Sequence, residues 1–316
     1  MRRLAPALFI AALTLVAAAP AQAQANPCPD VPDYDWQGRS VSRQVTVQVG
    51  DGPAYDGTVL RPRGRPGRVP GVVLMHGAGG SQCGLWWAAR HLAGHGYVTL
   101  VLTHQGNLAG HEQAVRRGVR WLRSRSNPFR AFTLRNRIGL AGHSQGSNAS
   151  MLAQDAPGVR ALAALDSLKR FAPGDRAAAI GCTGRRRPVT PLVPALGFAM
   201  DGPCVNRPAL IVPDLKKTGH RLWKSAGRPT MTLVMRGFDH SSFTSRATRR
   251  QLRSVGHFLL AWFDRYLQRD RTATSRILAR RVGGRPTRRL LSTTFRSAAY
   301  LPGRIDCEDY VSCMSN

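Results

Sequence analysis

Acidic residues are scarce in this chain, and lysine is almost absent. Among its 316 residues, 17 are Asp or Glu and 46 are Lys or Arg, so the formal net charge is +29. Glutamate occurs only at positions 112 and 308, and lysine only at positions 169, 216, 217 and 224. Neither glutamate lies where a catalytic carboxylate is expected. Any chemistry that needs a carboxylate therefore has to use one of the aspartates.

Motifs for metal binding are also missing. The chain has no H-E-x-x-H sequence and no paired C-x-x-C sequence, and its histidines are spread over different predicted elements. The common zinc sites need closely spaced ligands of these kinds. We therefore predict no metal and no bound cofactor.

The first 25 residues have the pattern of a secretory signal peptide. Two arginines precede an uncharged run rich in Ala and Leu at residues 4–19, and small-residue cleavage sites follow at residues 21–25. A membrane anchor is the alternative, but the run is short and is interrupted by Pro6 and Pro20. The sequence predicts a mature chain that is secreted or held in the cell envelope.

Six cysteines follow the predicted signal peptide: Cys28, Cys83, Cys182, Cys204, Cys307 and Cys313. An even number in an oxidising compartment favours disulfides. Short loops suggest the pairs Cys307–Cys313 and Cys182–Cys204, which leaves Cys28 for Cys83. The alternative is that some of the cysteines are reduced and buried as small apolar side chains.

Alternating strand and helix signals predict one α/β domain at residues 26–270, with a doubly wound, mostly parallel sheet and no large cap. Two antiparallel edge strands are predicted at 40–49 and 56–61, and parallel strands at 72–75, 98–102, 138–141, 161–166, 192–200 and 231–235. Helices are predicted at 86–93, 112–124, 147–155 and 218–225. Residues 271–316 form a predicted basic C-terminal extension that packs on this domain.

Residues 142–146 read Gly-His-Ser-Gln-Gly, between an apolar strand and a helix of small residues. Strand, tight turn and helix form the context of a nucleophile elbow, in which the serine backbone is strained and glycine is needed two residues before and after it. An ordinary Gly/Ser loop is the alternative. Ser144 is the predicted nucleophile.

A second segment lies upstream, where a buried strand ends in His-Gly-Ala-Gly-Gly at residues 76–80. A glycine-rich loop at the end of a strand leaves backbone N–H groups free to bind an anion. The N–H groups of Ala78 and Gln145 are the predicted donors to the oxyanion of an acyl-transfer intermediate. An ordinary strand-to-helix turn is the alternative.

These two segments, in this order, resemble the α/β-hydrolase superfamily. They are most similar to its secreted esterases with a small lid or none, which include dienelactone hydrolases, platelet-activating-factor acetylhydrolases and cutinase-like polyester hydrolases. The resemblance covers about residues 40–268. It implies a triad in the order nucleophile, acid, histidine, each at the C-terminal end of a strand.

His240 is the histidine that fits this order. It follows the predicted strand at 231–235 through a turn, and the run Gly237 to Phe243 is similar to the G-x-x-H-x-x-F segment around the catalytic histidine of the family. His220 and His257 lie in predicted helices instead.

Two aspartates end apolar runs between Ser144 and His240. The resemblance places the acid after the second run, so Asp201 is the predicted acid. Asp166 is interpreted as a carboxylate that accepts hydrogen bonds from loop amides. Asp239 is adjacent to His240 in sequence, but neighbours on an extended segment point to opposite faces, so it is a poor partner for the ring.

The resemblance implies an exported serine hydrolase that cleaves small or polymeric carboxylic esters through an acyl-serine intermediate. A lipase, a polyester hydrolase or a peptidase on the same triad is an alternative, and so is a polyanion-binding protein on an inactive hydrolase fold. Candidate pocket aromatics are Trp86, Trp87, Phe198 and Phe243, with core packing as the alternative role.

The positive charge attracts polyanions in general. The arginines are spread along the whole chain. We therefore expect at most a weak contact with an anionic envelope or lipid surface, and no specific nucleic-acid partner.

Overall fold

The computed structural model describes residues 28–29, 40–64, 67–166, 189–201, 223 and 226–297. The predicted signal peptide, the pairs Cys182–Cys204 and Cys307–Cys313, and most of the predicted helix at 218–225 lie outside these residues. Within them, helices flank a nine-stranded sheet whose strand order is β1-β2-β4-β3-β5-β6-β7-β8-β11. The sheet is mixed and mostly parallel, which confirms the predicted α/β class.

The strands and helices have the following bounds. The strands are β1 (Ser40–Val47), β2 (Tyr55–Pro62), β3 (Val69–Met75), β4 (Val98–Thr103), β5 (Thr133–His143), β6 (Val159–Leu165), β7 (Ala195–Met200), β8 (Thr230–Met235), β9 (Arg281–Val282), β10 (Arg285–Pro286) and β11 (Leu291–Arg296). The helices are α1 (Trp86–Gly94), α2 (Leu108–Arg123), α3 (Gln145–Leu152), α4 (Arg249–Phe263) and α5 (Ala273–Ile277).

The direction of the strands decides where loops meet. Strands β4, β3, β5, β6, β7 and β8 pair in parallel, while β1 and β2 add an antiparallel edge on one side. On the other side β11 pairs antiparallel with β8, so part of the predicted C-terminal extension belongs to the central sheet. The loops that follow β3, β5, β6 and β8 therefore lie at one edge of the sheet.

Burial explains why these segments form strands. Every residue of β3, β7 and β8 is buried, as expected for strands covered on both faces. On one face of the sheet Trp86 of α1 and Trp262 of α4 are buried in one apolar cluster, and on the other Trp121 of α2 is buried in a second.

Helix α2 begins four residues before the predicted start at residue 112. The side chain of Asn107 accepts a hydrogen bond from the N–H of Gly110 at 2.9 Å, which satisfies a donor of the first turn. This cap explains why the helix begins at Leu108, before the predicted start.

A disulfide joins Cys28 to Cys83, with 5.2 Å between the two Cα atoms, and this confirms the predicted pair. It attaches the described N-terminal residues to the short 3₁₀ turn Gln82–Leu85, just after the loop at 76–80. In the described residues we find no helix whose length and apolar character would allow it to span a bilayer.

Candidate active site

Ser144 lies at a sharp turn between β5 and α3. Its backbone angles are φ 54° and ψ −118°, a conformation that is rarely populated by residues other than glycine. Its N–H donates to the carbonyl of Leu165 at the end of β6, at 3.0 Å. The predicted strand, turn and helix around Ser144 are thus present, and the serine backbone is in the strained conformation that an elbow requires.

Close backbone packing explains the two flanking glycines. A Cβ atom added to Gly142 would lie 2.1 Å from the carbonyl oxygen of Gly146, and one added to Gly146 would lie 2.1 Å from the carbonyl oxygen of Met75. No real Cβ atom tolerates such distances. The turn can therefore form only with glycine at both positions.

The partner of His240 is Asp166. The distance from Nδ1 of His240 to Oδ2 of Asp166 is 2.5 Å, and the carboxylate is fully buried while the side chain of His240 is 45% exposed. The other carboxylate oxygen, Oδ1, accepts from the N–H of Met200 at 2.9 Å. Two donors thus compensate the burial of this charge, and they hold the carboxylate against the ring.

This contact corrects the prediction that Asp201 orients the histidine. Asp201 directly follows β7, and its N–H donates to the carbonyl of Met235 at 3.2 Å. The Nδ1 side of the ring is occupied by Asp166, which ends the neighbouring strand β6. The backbone of Asp166 has φ 57°, a left-handed conformation that turns the chain at the end of β6. No local sequence pattern signals this turn.

His240 begins a 3₁₀ turn, His240–Phe243, that is capped by Asp239. The Asp239 carboxylate accepts from the N–H of Ser242 at 2.9 Å and from the hydroxyl of Ser241 at 2.9 Å. Burial raises the pKa of Asp239, but the hydrogen bonds from Ser242 and Ser241 lower it by more. The net result is a pKa below the usual value. Asp239 shapes the loop that presents His240, and its carboxylate bonds to the serines.

His143, which sequence reasoning did not single out, contacts the histidine loop. Its Nε2 lies 2.8 Å from the carbonyl oxygen of His240, and the two imidazole centroids are 4.5 Å apart. Because a carbonyl can only accept, Nε2 of His143 carries a proton. This bond joins the residue before Ser144 to His240.

The loop at 76–80 lies directly beside Ser144. A Cβ added to Gly77 would be 3.0 Å from Cβ of Ser144. The Gly77 carbonyl oxygen accepts from Nδ1 of His76 at 2.6 Å and from the N–H of Gly80 at 3.1 Å. Since a trans peptide is planar, its C=O and N–H point in opposite directions, and anchoring this carbonyl also sets the direction of the Ala78 N–H.

The tautomer of His76 follows from its partners. The backbone N–H of His104 donates to Nε2 of His76 at 3.0 Å, so Nε2 is unprotonated. Nδ1 therefore carries the proton that bonds to the carbonyl of Gly77. Burial lowers the pKa of His76, the bond to Gly77 raises it by less, and the His104 ring lowers it, with a net value below the ordinary one. The neutral ring is therefore favoured.

His111 packs against this pair on the side of α2. Its ring makes edge-to-face contacts with the rings of His76 and His104, with centroids 5.2 and 5.1 Å apart. Burial lowers the pKa of His111 to about 4. Over the part of the chain that the structure describes, no group of three or more His, Cys, Asp or Glu side chains is arranged to hold a metal ion.

Gln145 is the first residue of α3, where backbone N–H groups have no acceptor within the helix. Its side-chain amide donates to the carbonyl of Gly106 at 3.3 Å. Ala78 and Gln145, the predicted oxyanion donors, thus lie in two segments that both adjoin Ser144.

The four candidate pocket aromatics belong to the core. Trp86, Trp87, Phe198 and Phe243 are all fully buried. The indole N–H of Trp87 donates to the carbonyl of Phe243 at 3.1 Å, and the rings of Phe198 and Phe243 are 6.2 Å apart. Trp87 and Phe198 thus contact Phe243, the last residue of the 3₁₀ turn that begins at His240.

No protein-family model matches the chain, and no curated protein matches it. The function has to be inferred from the chemistry of the chain's own residues.

Proposed function

We propose that the protein is an exported serine hydrolase that cleaves carboxylic esters through an acyl-serine intermediate, with Ser144, Asp166 and His240 as its triad. The proposal depends on the buried Asp166 carboxylate, which is bonded to Nδ1 of His240. A hydrogen bond from His143 joins the His240 loop to the strained turn of Ser144. A serine strained in this way is costly in stability, and such strain is concentrated at functional sites.

Acylation begins at the Ser144 hydroxyl. With Nδ1 bonded to Asp166, the His240 ring has its basic nitrogen at Nε2, which accepts the hydroxyl proton as Oγ forms a bond to the ester carbonyl carbon. The carboxylate balances the charge of the imidazolium that results. General-base assistance of this kind contributes about 10² to 10⁴ in rate.

The tetrahedral intermediate has a negative oxygen that needs donors. The N–H groups of Ala78 and Gln145 supply them, and the bonds of His76 and Gly80 to the Gly77 carbonyl hold the Ala78 donor in place before substrate arrives. Loss of one such donor typically costs about 10² to 10³ in turnover.

Collapse of the intermediate breaks the bond to the alcohol oxygen, which leaves with the proton from His240. Water then attacks the acyl-serine carbonyl while His240 takes one of its protons, and the second collapse releases the acid and returns the proton to Ser144. The residues described account for both halves of the cycle.

The same features support a place for the chain in the α/β-hydrolase superfamily, whose triad order is nucleophile, acid, histidine. Export is supported by the Cys28–Cys83 disulfide together with the signal-like N-terminal sequence. A polyanion-binding protein on an inactive hydrolase fold is less well supported, because mere binding of anions needs neither a strained serine nor a buried acid beside a histidine.

Labelling by a fluorophosphonate tests the proposal. We expect one adduct in the intact mass of the wild-type protein and in the control Ser126→Ala, whose serine is exposed and remote from the site. Ser144→Ala should show no adduct and should not hydrolyse a short activated ester. The proposal is wrong if the wild type is not labelled, or if Ser144→Ala is labelled equally.

A further inference from the structure

Six arginines lie at the edge of the sheet opposite Ser144. One precedes β3, two lie at the start of β5 and β6, one lies near the end of β2, one ends α2, and one belongs to the segment between α2 and β5. We call them the arginine face: Arg61, Arg68, Arg123, Arg130, Arg135 and Arg160. The parallel strands β3, β5 and β6 end at the Ser144 edge, so they begin at this one. Strand β2 is antiparallel to β4 and ends here too.

Contacts make the first part of this surface continuous. The guanidinium of Arg61 lies over the rings of Phe132 and Phe129, at 4.6 and 5.4 Å from their centroids, and Arg130 lies between these two residues in the chain. Val69 pairs with Thr133 in the sheet, which brings the preceding Arg68 to the same place.

The second part continues through backbone carbonyls. Nε of Arg123 donates to the carbonyl of Arg135 at 2.9 Å, and Nε of Arg160 donates to the carbonyl of Asn136 at 3.3 Å. Neighbouring strands are about 4.8 Å apart, so the edges of β2, β4, β3, β5 and β6 span roughly 20 Å. The arginine face is thus broad and extended in two dimensions.

The described residues place almost no negative charge near this face. In residues 61–64, 67–68, 123–137 and 155–160 the one carboxylate is Asp155, which lies 2.8 Å from Arg116. On the neighbouring helix side, Asp264 and Asp270 both pair with Arg276. No carboxylate in the described residues pairs with the six arginines.

We infer that the arginine face docks the protein on a lipid bilayer that contains anionic phospholipids. The guanidinium group matches phosphate oxygens with paired N–H donors, and a wide array of such groups fits a surface of many headgroups. Among the described residues the only exposed large apolar side chain is Leu192, which precedes β7 and so lies at the same edge of the sheet as the arginine face. With one such side chain, docking depends mainly on charge, and it is reversed by salt.

Because the arginine face and Ser144 lie at opposite edges of the sheet, a docked molecule keeps Ser144 directed away from the bilayer. Single-stranded nucleic acid fits less well, since binding there uses exposed aromatic side chains for base stacking, whereas Phe132 is covered by Arg61 and Phe129 is buried.

The test compares two triple variants with equal loss of charge. In the first, Arg68→Gln, Arg135→Gln and Arg160→Gln remove exposed arginines of the arginine face. In the second, Arg249→Gln, Arg250→Gln and Arg253→Gln remove exposed arginines of α4, which begins near the Ser144 edge. Partition into vesicles of phosphatidylcholine with and without phosphatidylglycerol is measured by sedimentation from low to high salt.

Wild-type protein should bind only the vesicles with phosphatidylglycerol. The first variant should lose roughly a hundredfold in partition, at about fivefold for each charge at the membrane surface, and the second less than about threefold. Melting curves and turnover of a soluble ester, unchanged in both variants, show that folding and the active site are intact. Equal losses in the two variants, no binding of the wild type, or tighter arginine-face-dependent binding to duplex DNA would each overturn the inference.

Discussion

Nε2 of His143 donates a hydrogen bond to the backbone carbonyl of His240, with 2.8 Å between nitrogen and oxygen. The bond runs from the residue before the proposed nucleophile, Ser144, to the backbone of the proposed general base. It therefore sets the distance between two loops that follow different strands, β5 and β8. In the proposed mechanism His143 positions His240 and does not need to touch substrate.

Replacing His143 tests this positioning role. We expect His143→Leu to lower kcat by as much as about 100-fold with little change in KM, because small displacements of a catalytic group have effects of this size. His143→Gln keeps a donor and should recover part of the loss. Steady-state kinetics on a soluble ester measure both variants, and a fully active His143→Leu would refute the role.

The two candidate acids are separated by a pair of matched substitutions. Asp166→Asn keeps the shape of the side chain and an oxygen for the Met200 N–H, but it removes the negative partner of His240, so kcat should fall by about 10⁴. Asp201→Asn should change kcat by less than about tenfold. Kinetics are read beside melting curves. If a folded Asp201→Asn loses turnover while Asp166→Asn keeps it, Asp201 is the acid after all.

A methyl group at Gly146 should be far more damaging than one at Gly84. The Cβ of Gly146→Ala would overlap the Met75 carbonyl, so we expect a loss of about 3 kcal/mol in the free energy of unfolding, and loss of activity. Gly84 has nothing within 4 Å of an added Cβ, and Gly84→Ala should stay within about 0.5 kcal/mol of the wild type. Denaturant titrations of both variants provide the comparison, and equal stabilities would contradict the packing argument.

Acid should destabilise the protein through His111. Burial lowers its pKa from 6.5 to about 4 in the folded state, so the unfolded chain binds a proton at a higher pH than the folded one. Stability is then fully present above pH 6.5 and is lost as the pH falls toward about 4, by roughly 3 kcal/mol in total for this group.

The variant His111→Gln isolates this contribution, because glutamine does not titrate. Free energies of unfolding measured at a series of pH values between 7 and 4 should decline less steeply in the variant than in the wild type. Parallel profiles would show that His111 does not contribute.

Local patterns in the sequence predicted several features that the structure contains. The apolar runs at β3 and β6 to β8 predicted buried strands, because residues covered on both faces of a sheet have to be apolar over their whole length. The glycines around Ser144 predicted a tight turn between a strand and a helix. The Cys28–Cys83 pair followed from loop lengths, since the other cysteines have closer neighbours in the chain.

Other features depended on contacts that no local pattern contains. Helix α2 starts at a cap whose benefit adds to the apolar periodicity, and β11 joins the sheet beside β8 although 55 residues separate Leu291 from Arg236. Asp166 and Asp201 each directly follow a buried strand, so the local sequence does not distinguish them as the partner of His240. The choice between them depends on a backbone turn at Asp166 and on the position of the His240 loop.

The sequence by itself determined the class of fold, the strained serine turn and the histidine that follows β8, because each of these depends on residues close together in the chain. Only the tertiary structure decided that Asp166 contacts His240, that His143 and His76 position the two loops, and that scattered arginines meet at one edge of the sheet. These relationships join residues from different strands. The order of strands in the sheet, and the direction in which each strand runs, brings such residues together, and neither can be read from a local pattern.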